Sequence, residues 1–276
     1  MTEKKKTNLE DSISNYHKLS IQVSLNGLSF CVLDTINNHI LISESDSFDR
    51  ELTPFETQKR LADLFKTHEI PNYTFSEVVA IHKNPLFSIV PKALFDVAEL
   101  ANYLKFNTKI LANDEVAYDE IESYDMMNVY IPFTNINNYI YDLFGEFEYR
   151  HHGSVLVQTL LNTHSNSSTP VCYVHVSKQQ MDITIISHKR LQFYNSFQFF
   201  TKEDFIYHLL FTLEQLKLDT EKIKLRLFGA IEEDDELYSI AYTYIQNVVI
   251  FIPSNPSYHF GDLEQGSIDF TVINAL

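Results

Sequence analysis

Within "CYVHVSKQQMDITII", Cys172 to Ile186, three side chains capable of ionic chemistry stand close together: His175, Lys178 and Asp182. An imidazole, an ammonium and a carboxylate around a chain reversal are groups that contact phosphate or organise a cation. Each also has a plain structural use. Lys178 at a turn either meets an anion or is solvated, and His175 is either a base or ligand or a hydrogen-bonded strand residue. A loop that cradles phosphate with its backbone amides needs glycine. Glycine permits backbone angles closed to other residues and lets the amides approach without a Cβ in the way. The reversal here reads Ser177, Lys178, Gln179, Gln180, and the whole chain of 276 residues holds six glycines.

The remaining candidates are weaker. His151 and His152 form an adjacent pair, but neighbours on a strand face opposite sides, and no third ligand lies nearby in sequence, so no metal site is assigned. The run Glu232, Glu233, Asp234, Asp235, Glu236 either captures Mg²⁺ or meets the positive end of a helix beginning near Asp235, at ~0.3–1 kcal/mol for each carboxylate. Asp34 and Asp182 have no evident carboxylate partner. The chain carries no GxSxG, Walker A, HExxH or paired-cysteine zinc spacing, and no residue is assigned as catalytic.

The hairpin that would position these groups occurs twice. "LSIQVSLNGLSFCVLD" (Leu19 to Asp34) lies over "CYVHVSKQQMDITIIS" (Cys172 to Ser187) without a gap, pairing Ile21 with Val174, Val23 with Val176, Leu28 with Met181, Phe30 with Ile183 and Val32 with Ile185. Alternation at period two predicts strands, and the polar interruption predicts the turn. A third strand follows in each half, His39 to Ser45 and Arg190 to Phe197. Each half then has a helix: Thr53, Pro54 and Glu56 form one capping-box start, Thr201 and Asp204 the other. Strands Phe75 to Ile81 and Lys222 to Phe228 close the units.

Between the repeats, Val90 to Phe106 reads as a helix opened by Pro91. "MNVYIPF" reads as a strand, "NINNYIYDLFG" as a helix closed by Gly145, and Gly153 to Thr163 as the helix leaving the first half. "VVIFIP", Val248 to Pro253, reads as a short buried strand. The polar run His164 to Pro170 is the one evident linker. The expected organisation is a disordered tail at 1–15, lobe I at 16–165 with inserted helices, and lobe II at 169–276.

Composition narrows the function classes. With 45% hydrophobic residues the chain can bury one large core or two modest ones. A formal charge of −16 repels nucleic acid and anionic membranes. No apolar run is long enough for a membrane helix, and the charged start lacks the apolar core of a signal peptide. Cys31 and Cys172 read as reduced, buried hydrophobes, and the expected location is cytoplasmic.

Two tandem β-β-β-α-β lobes resemble the actin-like ATPase (ribonuclease H-like) superfamily, an α/β fold with mixed sheets. More narrowly, with "FSIVPKALFD" and "YLKFN", the chain resembles the bacteroidete family DUF3822, regarded as a divergent actin-like ATPase domain. The superfamily's second phosphate hairpin runs hydrophobic–Asp–x–Gly–Gly–Gly–Thr–x–Asp. The resemblance places Asp182 on its closing Asp, His175 on its first Asp, and Ser177, Lys178 and Gln179 on its glycines. In the first hairpin Gln22 takes the Asp position and Ser24 a glycine position, followed by Asn26 and Gly27. Gly229 and Ala230 stand for the paired glycines of the adenosine motif, and "DFTVINAL" resembles the final helix returning toward lobe I. These departures remove the amides that hold phosphate and the oxygen ligands that Mg²⁺ requires. The expectation is therefore a non-catalytic pseudo-ATPase acting as a protein-interaction scaffold. It would have no cofactor, ATP and Mg²⁺ being disfavoured, and would bind an unidentified protein partner or itself. The alternative is a divergent nucleotide-binding ATPase or kinase-like phosphotransferase using Lys178 and Asp182 in the interlobe cleft.

Overall fold

The computed structural model describes residues 16–106, 109–111, 114–164, 169–252, 258–261 and 268–276. The tail expected at 1–15, the middle of the linker and Pro253 lie outside them.

The first repeat forms as its alternation requires. β1 (His17–Ser24) and β2 (Gly27–Asp34) pair antiparallel around Leu25 and Asn26, and β3 (His39–Ser47) adds to β2. α1 (Pro54–Thr67) starts at Thr53, whose hydroxyl accepts from the Glu56 amide while Glu56 returns to the Thr53 amide. Two otherwise orphaned donors are thereby satisfied. β4 (Phe75–His82) then runs parallel to β1.

The material between the repeats comes next: β5 (Phe87–Pro91), α2 (Leu100–Leu104), β6 (Ala117–Ile121), β7 (Met126–Tyr130), α3 (Thr134–Phe144), β8 (Glu148–His151) and α4 (His152–Thr163). β5, β7 and β6 make a small antiparallel sheet, and β8 joins β4 at the edge of the first sheet.

The helix expected over Val90 to Phe106 is corrected. Val90 and Pro91 end a strand, two single 3₁₀ turns follow, and only Leu100–Leu104 is α-helical. Asp96 explains the break. Its carboxylate accepts from the Ala98 amide and its own amide donates to the Tyr103 hydroxyl, so local side-chain bonds compete with a continuous helix.

Lobe II repeats lobe I. β9 (Val171–Val176), β10 (Gln180–Ser187) and β11 (Arg190–Gln198) are followed by α5 (Lys202–Gln215), β12 (Lys224–Gly229), α6 (Glu236–Tyr244), β13 (Asn247–Ile250) and α7 (Phe270–Asn274). The Thr201–Asp204 capping box is formed. The two large sheets have the same order, β3-β2-β1-β4-β8 and β11-β10-β9-β12-β13. β13 is an edge strand, with Val248 buried and Val249 half exposed, so "VVIFIP" is only partly a core element.

Each of the two large sheets is covered on both faces. α1 and α3 cover lobe I from outside through Leu61, Phe65, Ile136 and Ile140, and α5 and α6 cover lobe II through Phe205, Leu209, Leu213 and Ala241. The inner faces are covered crosswise. α4, which follows the last strand of lobe I, packs Leu156, Leu160 and Leu161 on Val171, Tyr173, Ile186 and Phe228 of lobe II. α7, from the end, packs Val272 and Ile273 on Cys31, Leu33, Val79 and Ile81 of lobe I. Burying each such aliphatic side chain is worth about 1.5–3 kcal/mol, so the crossing helices tie the lobes together. At the start of α4, a Cβ on Gly153 would lie 2.6 Å from the Tyr194 ring of β11, so this residue's size sets how closely α4 approaches lobe II. Among the described residues no helix is long and apolar enough to cross a membrane.

Candidate polar site at the lobe junction

The inner ends of the two hairpins and the starts of the two crossing helices meet at one buried cluster. β9 and β10 supply His175 and Asp182, which are register partners. β1 supplies Gln22, the first residue of α4 is His152, and α7 is led by Asp269 and Thr271. Lys83 follows β4 immediately. All these residues except Asp269 are more than nine-tenths buried.

Asp182 is the hub. Its Oδ2 lies 3.0 Å from His152 Nε2, 3.3 Å from His175 Nδ1 and 3.5 Å from Lys83 Nζ. Lys83 Nζ also donates to Ser177 Oγ at 2.7 Å, and the Lys83 amide donates to Val23 O at 2.9 Å. One lysine thus ties the first hairpin to the second.

On the other side, Gln22 Nε2 donates to Asp269 Oδ2 at 2.7 Å, and Gln22 Oε1 lies 2.7 Å from His152 Nδ1. Thr271 Oγ1 donates to Gln22 Oε1 as well. Asp269 caps α7, its Oδ1 accepting the Thr271 amide at 2.9 Å and the Val272 amide at 3.2 Å.

These contacts fix proton positions. The bond to Asp269 orients the Gln22 amide, so Oε1 faces His152 and requires a donor there. His152 Nδ1 therefore carries hydrogen, and its Nε2 faces the Asp182 carboxylate. Burial drives the Asp182 carboxyl up, but Lys83 and the two imidazoles outweigh it and hold the group well below its ordinary value. Asp269 is likewise held low against its burial by His175 and Lys83. Burial, reinforced by Lys83, lowers His152 to about 4. Desolvation disfavours an imidazolium, while the nearby carboxylates favour positive charge at the same spot.

The neighbouring His151 has a separate, structural task. Its Nδ1 accepts the Gly153 amide at 3.0 Å, its Nε2 bonds Asn84 O at 3.0 Å, and burial lowers it to about 3. The reasoning that adjacent strand residues diverge is corrected in its premise. His151 ends a strand and His152 begins a helix, although they do face different partners.

Of the residues singled out from sequence, Gln22, His175, Ser177 and Asp182 come together here. Ser24, Asn26 and Gly27 form their own turn, with Ser24 Oγ donating to Gly27 O at 2.9 Å and accepting the Asn26 amide at 3.2 Å. Lys178 reaches lobe I, meeting Asp49 Oδ1 at 3.2 Å and Phe48 O at 3.3 Å. Gln179 offers its carbonyl to the Phe199 amide.

Gly229 has φ +93°, and a Cβ there would lie 2.3 Å from Val176 O. Ala230 lines an open depression of ≈ 370 Å³ with Phe199, Phe200, Asp235 and Leu237. Between the hairpins a cavity of ≈ 60 Å³ remains, lined by Ser24, Asn26, Glu51, Lys83, Gln180 and Gln198.

Sequence reasoning missed Lys83, Asp269 and Thr271, and discounted His152. The available signals were the polar "HKNP" directly after a β-branched strand and the Asp-x-Thr helix start.

The chain is similar to the crystal structure of a Bacteroides thetaiotaomicron protein with an actin-like ATPase fold and unknown function, at 21% identity and TM-score 0.75, covering 92% of this chain and 96% of that one. It is also similar in fold to a chain of the PilM-PilN type IV pilus biogenesis complex, at 9% identity and TM-score 0.52, covering 84% and 87%. No curated protein matches the sequence. Residues 6–248 match the family described as "Protein of unknown function (DUF3822)". With that match over most of its length and two actin-like lobes joined by crossing helices, the chain belongs to the DUF3822 family and has the actin-like ATPase fold.

Proposed function

We propose that this chain is a non-catalytic member of the actin-like fold, a pseudo-ATPase whose closed lobe junction serves as a rigid core for binding another protein or a second copy of itself. The observation that carries the reading is Lys83, whose ammonium stands between the hairpins on Ser177 and Asp182, where the fold leads one to look for phosphate and its metal. The remaining cavity of ≈ 60 Å³ is far below the roughly 300–1,000 Å³ of ligand pockets. Surface bonds also span the lobes: Lys178 to Asp49, and Gln198 Nε2 to Glu51 Oε1 at 2.8 Å. The PilM-PilN structure supports the scaffold half by analogy, because there a chain of similar fold belongs to a protein complex.

The second reading, a divergent nucleotide-binding ATPase or kinase-like phosphotransferase, draws on the open depression beside Gly229 and Ala230. Titration calorimetry with Mg-ATP, paired with thermal shift, separates the two. The expected result is no heat of binding and no stabilisation at millimolar nucleotide. Micromolar binding or turnover that Lys178→Ala abolishes would remove the pseudo-ATPase reading. A chain that is monomeric by light scattering and captures no stoichiometric protein partner would remove the scaffold half.

A further inference from the structure

Three potential ligand atoms converge at the junction. His152 Nε2, His175 Nδ1 and Asp182 Oδ2 all lie within 4.8 Å of one another, on three buried residues. Asp182 Oδ2 is 3.0 Å from the first and 3.3 Å from the second. A tetrahedral ion with bonds of about 2.0–2.1 Å holds its ligand atoms roughly 3.3–3.5 Å apart. The carboxylate therefore already meets each imidazole near that spacing, and the two imidazole nitrogens, within 4.8 Å of one another, need to close by at most about 1.5 Å.

Hydrogen placement points the same way. His152 Nδ1 donates to Gln22 Oε1, whose orientation Asp269 fixes, which leaves Nε2 as the ring nitrogen that faces Asp182 Oδ2 at 3.0 Å. An imidazole that gives its other ring N–H to a carbonyl oxygen is also the arrangement that orients metal-bound histidines.

We propose that His152, His175 and Asp182 form a binding site for one divalent transition-metal ion of the zinc class, with Gln22 holding His152 in the ligating tautomer. The donor set of two nitrogens and one carboxylate oxygen suits Zn²⁺ and disfavours Mg²⁺, which demands oxygen ligands. Water can complete the coordination, and Lys83, beside Asp182, also lines the cavity between the hairpins. Lys83 also sets the strength of the site. Its ammonium shares Asp182 Oδ2 and opposes a second cation, while Ser177 anchors it to one side. The ion would join α4 to the β9–β10 hairpin and, through Gln22, to lobe I. This inference does not rest on the scaffold reading.

The test uses full-length, tag-free protein, stripped with a chelator and titrated with Zn²⁺ and with Co²⁺. The expected result is one ion per chain by mass spectrometry, the visible absorption of four-coordinate Co²⁺, and a rise in Tm with Zn²⁺. Gln22→Leu should weaken binding by about 10–100-fold. His175→Ala should abolish the Co²⁺ band. Lys83→Met should tighten binding by at least about tenfold by removing the opposing charge, and Zn²⁺ should restore the stability which that variant loses. Folding of each variant is checked by circular dichroism, and Gln22→Leu and Lys83→Met stand in if His175→Ala fails to fold. Substoichiometric metal with no Co²⁺ band in both wild type and Lys83→Met would overturn the proposal. So would uptake insensitive to all three substitutions.

Discussion

His82 offers a sharp test of how burial governs this protein. It is the last residue of β4, wholly buried, and both ring nitrogens are committed. The Phe133 amide donates to Nδ1 at 3.2 Å, so Nδ1 carries no hydrogen, and Nε2 donates to Asn137 Oδ1 at 2.8 Å. Protonation would add a charge in an apolar setting and break the Phe133 bond. Burial accordingly pushes this imidazole down to about 4 from 6.5, the Asn137 bond opposing only in part. The folded value is depressed, so the unfolded chain binds more protons in the window between the two. Stability is then full above the unfolded value and is lost as pH falls toward the folded one. The whole shift is worth about 3.4 kcal/mol, and integration to about pH 5 gives a loss of about 2 kcal/mol relative to about pH 8. That is a large share of a typical stability of about 5–15 kcal/mol.

The perturbation is His82→Gln. Its amide can accept from Phe133 and donate to Asn137 but does not titrate. Urea unfolding of both proteins at about pH 8 and about pH 5 supplies the comparison. Wild type should lose about 2 kcal/mol more than the variant on acidification, whatever the variant costs at neutral pH. Parallel losses, within about 0.5 kcal/mol, would refute the reasoning, as would an NMR titration placing His82 near its ordinary value.

Two further outcomes are expected. Gly229→Ala should destabilise the chain by at least about 2 kcal/mol, read by thermal or chemical unfolding. The backbone there is left-handed and the new Cβ would meet the Val176 carbonyl; a neutral result would show that β12 can shift away. Thr201→Ala should cost about 1 kcal/mol by opening the α5 capping box, and adding Asp204→Ala should cost less than the sum of the two single changes, because each residue satisfies the other's amide.

The repeat was legible because it rests on local rules. Ile21, Val23, Phe30 and Val32, with Val174, Val176, Ile183 and Ile185, alternate as strands do and are buried, although the residues between them are buried as well because crossing helices cover the second face. Thr53 and Thr201 announced their helices through capping chemistry that spans three residues. Where local signals conflicted, the reading failed. Asp96 bonds its own neighbourhood, and the helix expected from Val90 to Phe106 shrinks to its last turn.

The junction is of another kind. Gln22 meets Asp269 across 247 positions of sequence and His152 across 130, while Lys83 meets Ser177 across 94. No periodicity or spacing rule connects residues so far apart. The amino-acid order by itself determined two alike lobes and a β9–β10 reversal without glycine, because strand alternation, caps and turns are settled within a few residues. Only the tertiary structure decided what meets at the hairpin ends. It did so by crossing α4 and α7 between the sheets, which carries His152, Asp269 and Thr271 to the hairpin ends, where buried charge must find its partner.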